Sequence, residues 1–173
     1  MTDIVLATIN ARYVHAALGL RYLAANMGEL RERTTLLEFV PGARAADLAE
    51  QLLRHKPRVI GIGVYIWNVD EATRLVALLK AVAPDVVVVV GGPEVSFEIE
   101  SQRICTLADH ALTGPIARGD ASVVARHLEA LDAWDERVAS VYRALGTLAV
   151  ELARSRGETD MSALERIAAL LSR

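Results

Sequence analysis

Cysteine is almost absent from this 173-residue sequence, which contains one, Cys105. A single cysteine excludes an intramolecular disulfide, a zinc site built from several cysteines and a cysteine-ligated iron–sulfur cluster within one chain. A strong excess of charge is also lacking, because the formal net charge is −3 and acidic and basic residues are interleaved. We therefore expect neither nucleic acid nor a membrane surface as a partner.

Several functional motifs are missing as well. The phosphate-binding motif G-x-x-x-x-G-K-[ST] is absent, and no G-x-G-x-x-G follows a predicted strand. Gly61 and Gly63 lie inside a predicted strand and lack the third glycine of that motif. The loop after the first strand, NARYVH, has no carboxylate to hold magnesium, and no serine stands in a G-x-S-x-G turn. The amino terminus lacks the basic start and apolar core of a signal peptide, which predicts a soluble, cytoplasmic protein.

Hydrophobic residues, by contrast, make up 53% of the sequence. The run VVVVVGGPE at 86–94 predicts a central strand buried on both faces. Further strands are predicted at 3–9, 34–40, 59–66 and 109–113. Helices are predicted at 15–27, 47–55, from a capping box of Asn68 and Glu71 to about 84, and at 95–107.

This alternation of strands and helices predicts an α/β fold with a doubly wound parallel sheet in the order 2-1-3-4-5. After Gly114 the strand pattern stops. Helices are predicted at 120–131, capped by Asp120, at 134–156, ended by Gly157, and from Thr159 or Asp160 onward. The predicted domains are therefore 1–114 and an all-helical segment, 115–173.

In this strand order the loops after strands one, three, four and five surround one crevice, where ligands bind in open α/β sheets. Aromatic residues beside glycines and a few polar groups suit a flat organic ligand better than a bare phosphate. The candidate binding residues are Asn10, Arg12, Tyr13, His15, Tyr65, Trp67, Asn68, Gly91, Gly92, Glu94, Thr113 and Gly114.

Each candidate also has a plain structural explanation. The glycines after the central strand either admit a ligand or only form a tight turn. Trp67 either stacks on a ligand or covers the end of the sheet, and Glu94 either accepts hydrogen bonds from a ligand or supplies charge at a helix start. His15 suits a pocket, a metal or the surface, and Cys105 lies on an apolar helix face and is expected in the core. The sequence predicts no catalytic residue and no metal ligand.

The segments ATINARYVHAALGLRYLAANMGELR, RVIGIGVYIWNV and VVVVVGGPEVSFE resemble the amino-terminal cobalamin-binding domain of cobalamin-dependent radical S-adenosylmethionine proteins. The resemblance covers about residues 1–111. It implies a flavodoxin-like domain that holds cobalamin over the carboxyl ends of the strands. By analogy, the loops at 10–15 and 65–68 flank the corrin, and Gly91 and Gly92 admit the nucleotide tail.

The sequence departs from the D-x-H-x-x-G pattern of domains that supply a histidine to cobalt. Tyr13 stands where that aspartate is expected, and one residue too many separates His15 from Gly19. Any bound cobalamin is therefore expected to lack a histidine lower ligand. The C-x-x-x-C-x-x-C motif of the radical iron–sulfur cluster is absent, which excludes that chemistry within this chain.

The segments LTGPIARGDASVVARHLEALD and VYRALGTLAVELARSRG resemble a different family. They are similar to the carboxy-terminal helical domain of Rossmann-like NADP-type oxidoreductases related to ketopantoate and pyrroline-carboxylate reductases. That resemblance, over about 111–173, implies a dimerisation element. We hypothesise a fusion or engineered chimera joined within ADHALTGP, although a single natural gene with a divergent tail is the alternative.

Three functions follow from these observations. The first is a cobalamin-binding module without catalysis of its own. The second is a ligand-free scaffold that self-associates, for example as a homodimer, through its helical tail. The third is a remnant of an NADP-dependent oxidoreductase, which lacks a dinucleotide fingerprint.

Overall fold

A computed structural model of the chain describes residues 2–11, 16–96, 99–112, 114–157 and 159–172. The chain divides into two compact units, Met1–Leu112 and Thr113–Arg173. The first unit contains the sheet and the second is helical, and each is described by itself.

Within the described residues of the first unit, five strands form one parallel sheet. The strands are β1 (Ile4–Ile9), β2 (Thr34–Phe39), β3 (Val59–Gly63), β4 (Val87–Gly91) and β5 (His110–Leu112). Their order is β2-β1-β3-β4-β5, which confirms the predicted doubly wound, flavodoxin-like topology. The connection after β1 leads to β2 on one side, and the connection after β2 crosses past β1 to β3 on the other side, so the switch point lies between the carboxyl ends of β1 and β3.

The helices of this unit are α1 (Leu18–Ala25), α2 (Ala45–Leu53), α3 (Val69–Val82) and α4 (Arg103–Leu107), with 3₁₀ segments at Gly28–Arg33 and Pro93–Ser96. The predicted continuous helix at 95–107 is wrong, because the chain forms a 3₁₀ turn and then the short α4. The predicted third strand is three residues too long, because residues 65–68 form a turn in which Asn68 N donates to Tyr65 O at 2.9 Å.

The main core lies on one face of the sheet, where Leu52 of α2 and Leu79 of α3 are completely buried. Val88 and Val90 of β4 point into this core and are also fully buried. The prediction that β4 is buried on both faces is wrong for the alternate residues, because Val87 and Val89 stay partly exposed. On the face of the sheet to which Val87 and Val89 point, the helix is α1, and it packs mainly on β1 and β2.

The second unit consists of α5 (Ala121–Trp134), α6 (Glu136–Arg156) and α7 (Met161–Leu171) in its described part. The residues predicted to cap or end these helices are confirmed. Asp120 Oδ1 accepts a hydrogen bond from Val123 N at 3.1 Å, Asp160 caps α7, and Gly157 ends α6 in the left-handed conformation with φ 70°. The helices pack through a small core that includes the buried residues Leu164 and Ile167.

None of the helices in the described part of the chain is long and apolar enough to cross a membrane.

Candidate ligand-binding site

The side chain of Asn68 ties together the strand ends at the switch point. It is 1% exposed, and its Nδ2 donates to Ile9 O at 2.9 Å and to Gly63 O at 3.1 Å. The same nitrogen lies 3.3 Å from the Thr8 hydroxyl, which itself donates to Gly63 O at 2.9 Å. In turn, Asn68 Oδ1 accepts a hydrogen bond from Tyr65 N at 2.8 Å. One buried amide therefore fixes the ends of β1 and β3 and the turn that follows β3.

The predicted capping box at the start of α3 is wrong. Asn68 occupies the N-cap position, but its side chain makes no capping hydrogen bond to the helix. Glu71 does not complete the box either, because its Oε1 accepts a hydrogen bond from Gly42 N at 3.1 Å. The amide prefers the strand ends because their buried carbonyl groups have to be paired, whereas the first turn of a helix is open to water.

Two aromatic rings lie at this end of the sheet. Tyr65 and Trp67 stack with their centroids 4.6 Å apart and their planes at 5°. Trp67 Nε1 donates to Ile9 O at 3.2 Å, which joins the ring to the end of β1. Trp67 nevertheless remains 48% exposed, and Ile66 beside it is 76% exposed. The turn therefore presents a fixed, partly apolar surface at the carboxyl ends of the strands.

The two glycines after β4 differ in what their missing side chains allow. Gly92 has φ 128°, and a Cβ there would lie 2.3 Å from Val64 O, so close packing of the turn against β3 requires glycine. Next to it, Gly91 O accepts a hydrogen bond from Val64 N at 2.7 Å. At Gly91 a Cβ would meet Leu112 at 3.4 Å, an ordinary contact. The structural explanation accounts for glycine at 92 without any ligand.

Glu38, near the end of β2, organises the neighbouring loop. Its carboxylate accepts hydrogen bonds from Asn10 Nδ2 at 2.9 Å, from Arg21 at 2.6 Å and, more weakly, from Ala17 N at 3.4 Å. Asn10 and Ala17 flank the segment 11–16. Burial alone favours the neutral carboxyl, but these hydrogen bonds together outweigh it and hold the pKa of Glu38 below its ordinary value. The charged form therefore stabilises both ends of the first loop.

Replacing this carboxylate should reduce stability in a pH-dependent way. We expect Glu38→Gln to lower the free energy of unfolding by about 1 kcal/mol at pH 7. A lowered folded-state pKa means that the stabilisation is present at neutral pH and is lost as the pH falls through that pKa. Urea unfolding at pH 7 and at an acid pH below the folded-state pKa of Glu38 should thus show the variant and the unchanged protein converging in acid.

The matched control is Glu50→Gln, which breaks an exposed ion pair with Arg54 on α2. Exposed pairs contribute little, so its effect should stay within about 0.5 kcal/mol at both pH values. An equal loss in both variants at pH 7 would contradict the role of Glu38.

The sequence-predicted residues are distributed as follows. Within the first unit the carboxyl ends of β1, β3 and β4 carry Asn10, Tyr65, Trp67, Asn68, Gly91 and Gly92. Glu94 follows in the 3₁₀ segment, where its backbone carbonyl accepts a hydrogen bond from Gln102 at 2.7 Å. Gly114 belongs to the second unit. Four predicted residues lie outside the described residues: Arg12, Tyr13, His15 and Thr113.

Sequence reasoning missed Thr8 and Glu38. The signal for Glu38 was present, since it is the one carboxylate in the apolar strand TTLLEFV. Thr8 gave no signal, because a threonine fits a buried strand without any special role. Among residues 2–11, 16–96, 99–112, 114–157 and 159–172, no three His, Cys, Asp or Glu side chains cluster so as to hold a metal ion.

This fold and this arrangement define a flavodoxin-like domain with its candidate ligand surface at the switch point of the sheet. Residues 4–117 match the model of the B12 binding domain, which covers more than half of the chain. The chain belongs to the B12-binding domain family.

Other comparisons add less. Residues 99–149 match a domain of unknown function, DUF2520, which overlaps the first match at the position of the predicted join. No curated protein matches the chain. A crystal structure of a novel cobalamin-binding protein from Desulfitobacterium hafniense DCB-2 is similar, with 21% identity and a TM-score of 0.45 over 65% of this chain. The similar region is 53% of that protein, so this chain spans about half of its length.

Proposed function

We propose that the first unit binds cobalamin over the carboxyl ends of β1, β3 and β4. The observation that carries the proposal is the stacked pair Tyr65 and Trp67, held at the strand ends by Asn68 in a domain of the B12-binding family. A corrin is a flat, largely apolar macrocycle with a polar rim. The exposed faces of Trp67 and Ile66 beside polar backbone groups fit such a ligand.

The residues proposed to surround the cofactor are those predicted from the sequence. The first loop, with Asn10 anchored by Glu38, lies on one side of the corrin, and the turn at 65–68 lies on the other. The nucleotide tail follows the backbone at Gly91 and Gly92. Gly92 contributes through its backbone there, because the space of its missing Cβ is occupied by Val64 O.

A direct test is gel filtration of the protein mixed with hydroxocobalamin. We expect corrin absorbance to comigrate with the protein, and we expect Trp67→Phe to weaken the affinity at least 10-fold because it reduces the aromatic surface and removes the hydrogen bond to Ile9. The matched control is Trp134→Phe, at the other tryptophan of the sequence, in the second unit. Absence of comigrating corrin in the unchanged protein would overturn the proposal.

We further propose that cobalamin is carried without a histidine lower ligand and without catalysis by this chain alone. The departures from D-x-H-x-x-G at Tyr13 and before Gly19 support the first part. His15→Ala should therefore retain the visible spectrum of bound cobalamin, because no bond to cobalt is lost. A changed spectrum together with a large loss of affinity would show that His15 binds cobalt.

The second candidate function is self-association through the helical unit. It is favoured by a row of large apolar side chains on α6 that stay exposed in the described part of the chain. The third candidate, an oxidoreductase remnant, has no dinucleotide fingerprint to support it, and an unchanged fluorescence signal during NADPH titration would remove it.

A further inference from the structure

Large apolar side chains lie exposed along one side of α6. They are Val138, Val141, Leu145, Leu148 and Leu152, with exposed fractions between 39% and 62%. Successive members are separated by three, four, three and four residues, which is the seven-residue pattern of a coiled-coil seam. We call these five residues the α6 seam.

The α6 seam is not the side by which the helix packs in its own unit. That side is formed by Ala139, Gly146, Val150 and Ala153, which are buried. Val150 and Ala153 contact the core around Leu164. The helix therefore carries two apolar faces, one filled by its own unit and one exposed. Single exposed apolar residues are normal, but a continuous seam along a 21-residue helix is the mark of a binding surface.

We infer that the α6 seam pairs with the α6 seam of a second copy of this chain, with the two helices antiparallel. The inference rests on the self-association proposed above and adds the surface, the register and the direction. A second copy is the occupant that the seam itself supports, because its spacing is self-complementary. In an antiparallel pair Val138 faces Leu148 of the second copy, and Val141 faces its Leu145.

Charge favours the antiparallel direction. The start of α6 carries a small acidic excess, with Asp135 and Glu136 against Arg137, and the last turn is basic, with Arg154 and Arg156. Antiparallel helices place each basic end beside the partner's acidic end and also oppose the helix dipoles. Parallel helices align the two dipoles in the same direction, which is unfavourable.

The positions that flank the seam agree with this register. In the antiparallel pair Arg137 of one copy lies beside Glu151 of the other, at both ends of the interface, and Ala144 meets Ala144 near the centre. The Arg137 side chain is 91% exposed beyond its pairing with Asp135, so it is accessible to a second copy. These contacts follow the g-to-g relation of antiparallel coiled coils and help to set partner orientation.

The first experiment asks whether the seam mediates association. Multi-angle light scattering of the 173-residue protein at about 100 μM, a concentration suited to micromolar dimers, should show a dimer. Leu145→Glu buries a charge near the centre and should yield a monomer with an unchanged far-UV circular dichroism spectrum. The control Ser140→Glu adds the same charge at an exposed position outside the seam and should remain dimeric. A monomeric unchanged protein, or a dimeric Leu145→Glu variant, overturns the seam as the interface.

The second experiment asks for direction, in a Cys105→Ala background that removes the native cysteine. Residues 138 and 148 are about 15 Å apart along the helix, beyond the reach of a disulfide. Under mild oxidation, a mixture of Val138→Cys and Leu148→Cys proteins should form the mixed crosslink, while each variant alone should not. If each variant instead crosslinks with itself and no crosslink between the two variants forms in the mixture, the helices are parallel and the antiparallel arrangement is overturned.

Failure of this inference is distinguishable from failure of the proposed cofactor function. Corrin comigration is measured on the same Leu145→Glu protein, and we expect it to be retained because the seam lies in the second unit. A dimer with parallel crosslinks leaves self-association intact and overturns only the direction.

Discussion

Asn68→Ala should lower the free energy of unfolding of the sheet unit by about 3 kcal/mol or more. Truncation removes the partner of Tyr65 N and leaves Ile9 O and Gly63 O with fewer donors in a site that is 1% exposed. Buried polar groups without partners cost about 1–3 kcal/mol each, which is more than the bonds themselves contribute. Urea unfolding followed by circular dichroism measures the loss.

Cobalamin binding should be lost together with this stability. The turn that carries Tyr65 and Trp67 is held by Asn68, so its release disorders the proposed corrin surface even when the variant is folded. Asn26→Ala is the control, because that asparagine donates a single exposed hydrogen bond to Tyr22 O and its replacement should cost under about 0.5 kcal/mol. An Asn68→Ala protein as stable as this control would refute the role of the buried amide.

Gly92→Ala should be the most damaging glycine substitution in the chain. An alanine Cβ would lie 2.3 Å from Val64 O, and φ 128° is strained for any residue with a side chain. Backbone in such a region costs about 1–3 kcal/mol before the clash is included, so we expect a total loss of at least about 3 kcal/mol. The turn after β4 has to move away from β3 to relieve the backbone strain and the clash with Val64 O.

Gly114→Ala provides the comparison, because a Cβ at that position meets nothing within 4 Å. We expect its unfolding midpoint in urea to stay close to that of the unchanged protein, with a shift below about 0.5 kcal/mol in free energy. If Gly92→Ala were as mild as Gly114→Ala, the close approach of residue 92 to Val64 would not exist in solution.

The sheet was predictable because its strands are short apolar runs separated by helical patterns. The order of the strands followed from general rules on crossover connections, and the caps at Asp120 and Asp160 and the glycine stop at Gly157 followed from local chemistry. These features depend on neighbours along the chain, which a single sequence displays.

The details of the candidate site depend on contacts between distant residues. Asn68 and Glu71 match a capping box, but Asn68 bonds to Ile9, 59 residues away, and Glu71 to Gly42. For Gly92 the sequence left open a ligand approach or a tight turn, and it could not show that Val64 already requires a residue without a side chain there. No local pattern encodes such pairings, so the same residues were found with different roles. The binding residues themselves stay a prediction.

The positions of the tryptophans have a practical consequence for measuring cooperativity. Trp67 belongs to the sheet unit and Trp134 to the helical unit, so each unit carries one of the chain's two indole fluorophores. In Trp134→Phe the emission reports the unfolding of the sheet unit alone, and in Trp67→Phe it reports that of the helices. Coincident denaturation curves therefore indicate that the two halves of the polypeptide unfold as one cooperative unit, and separate curves indicate that each half unfolds on its own.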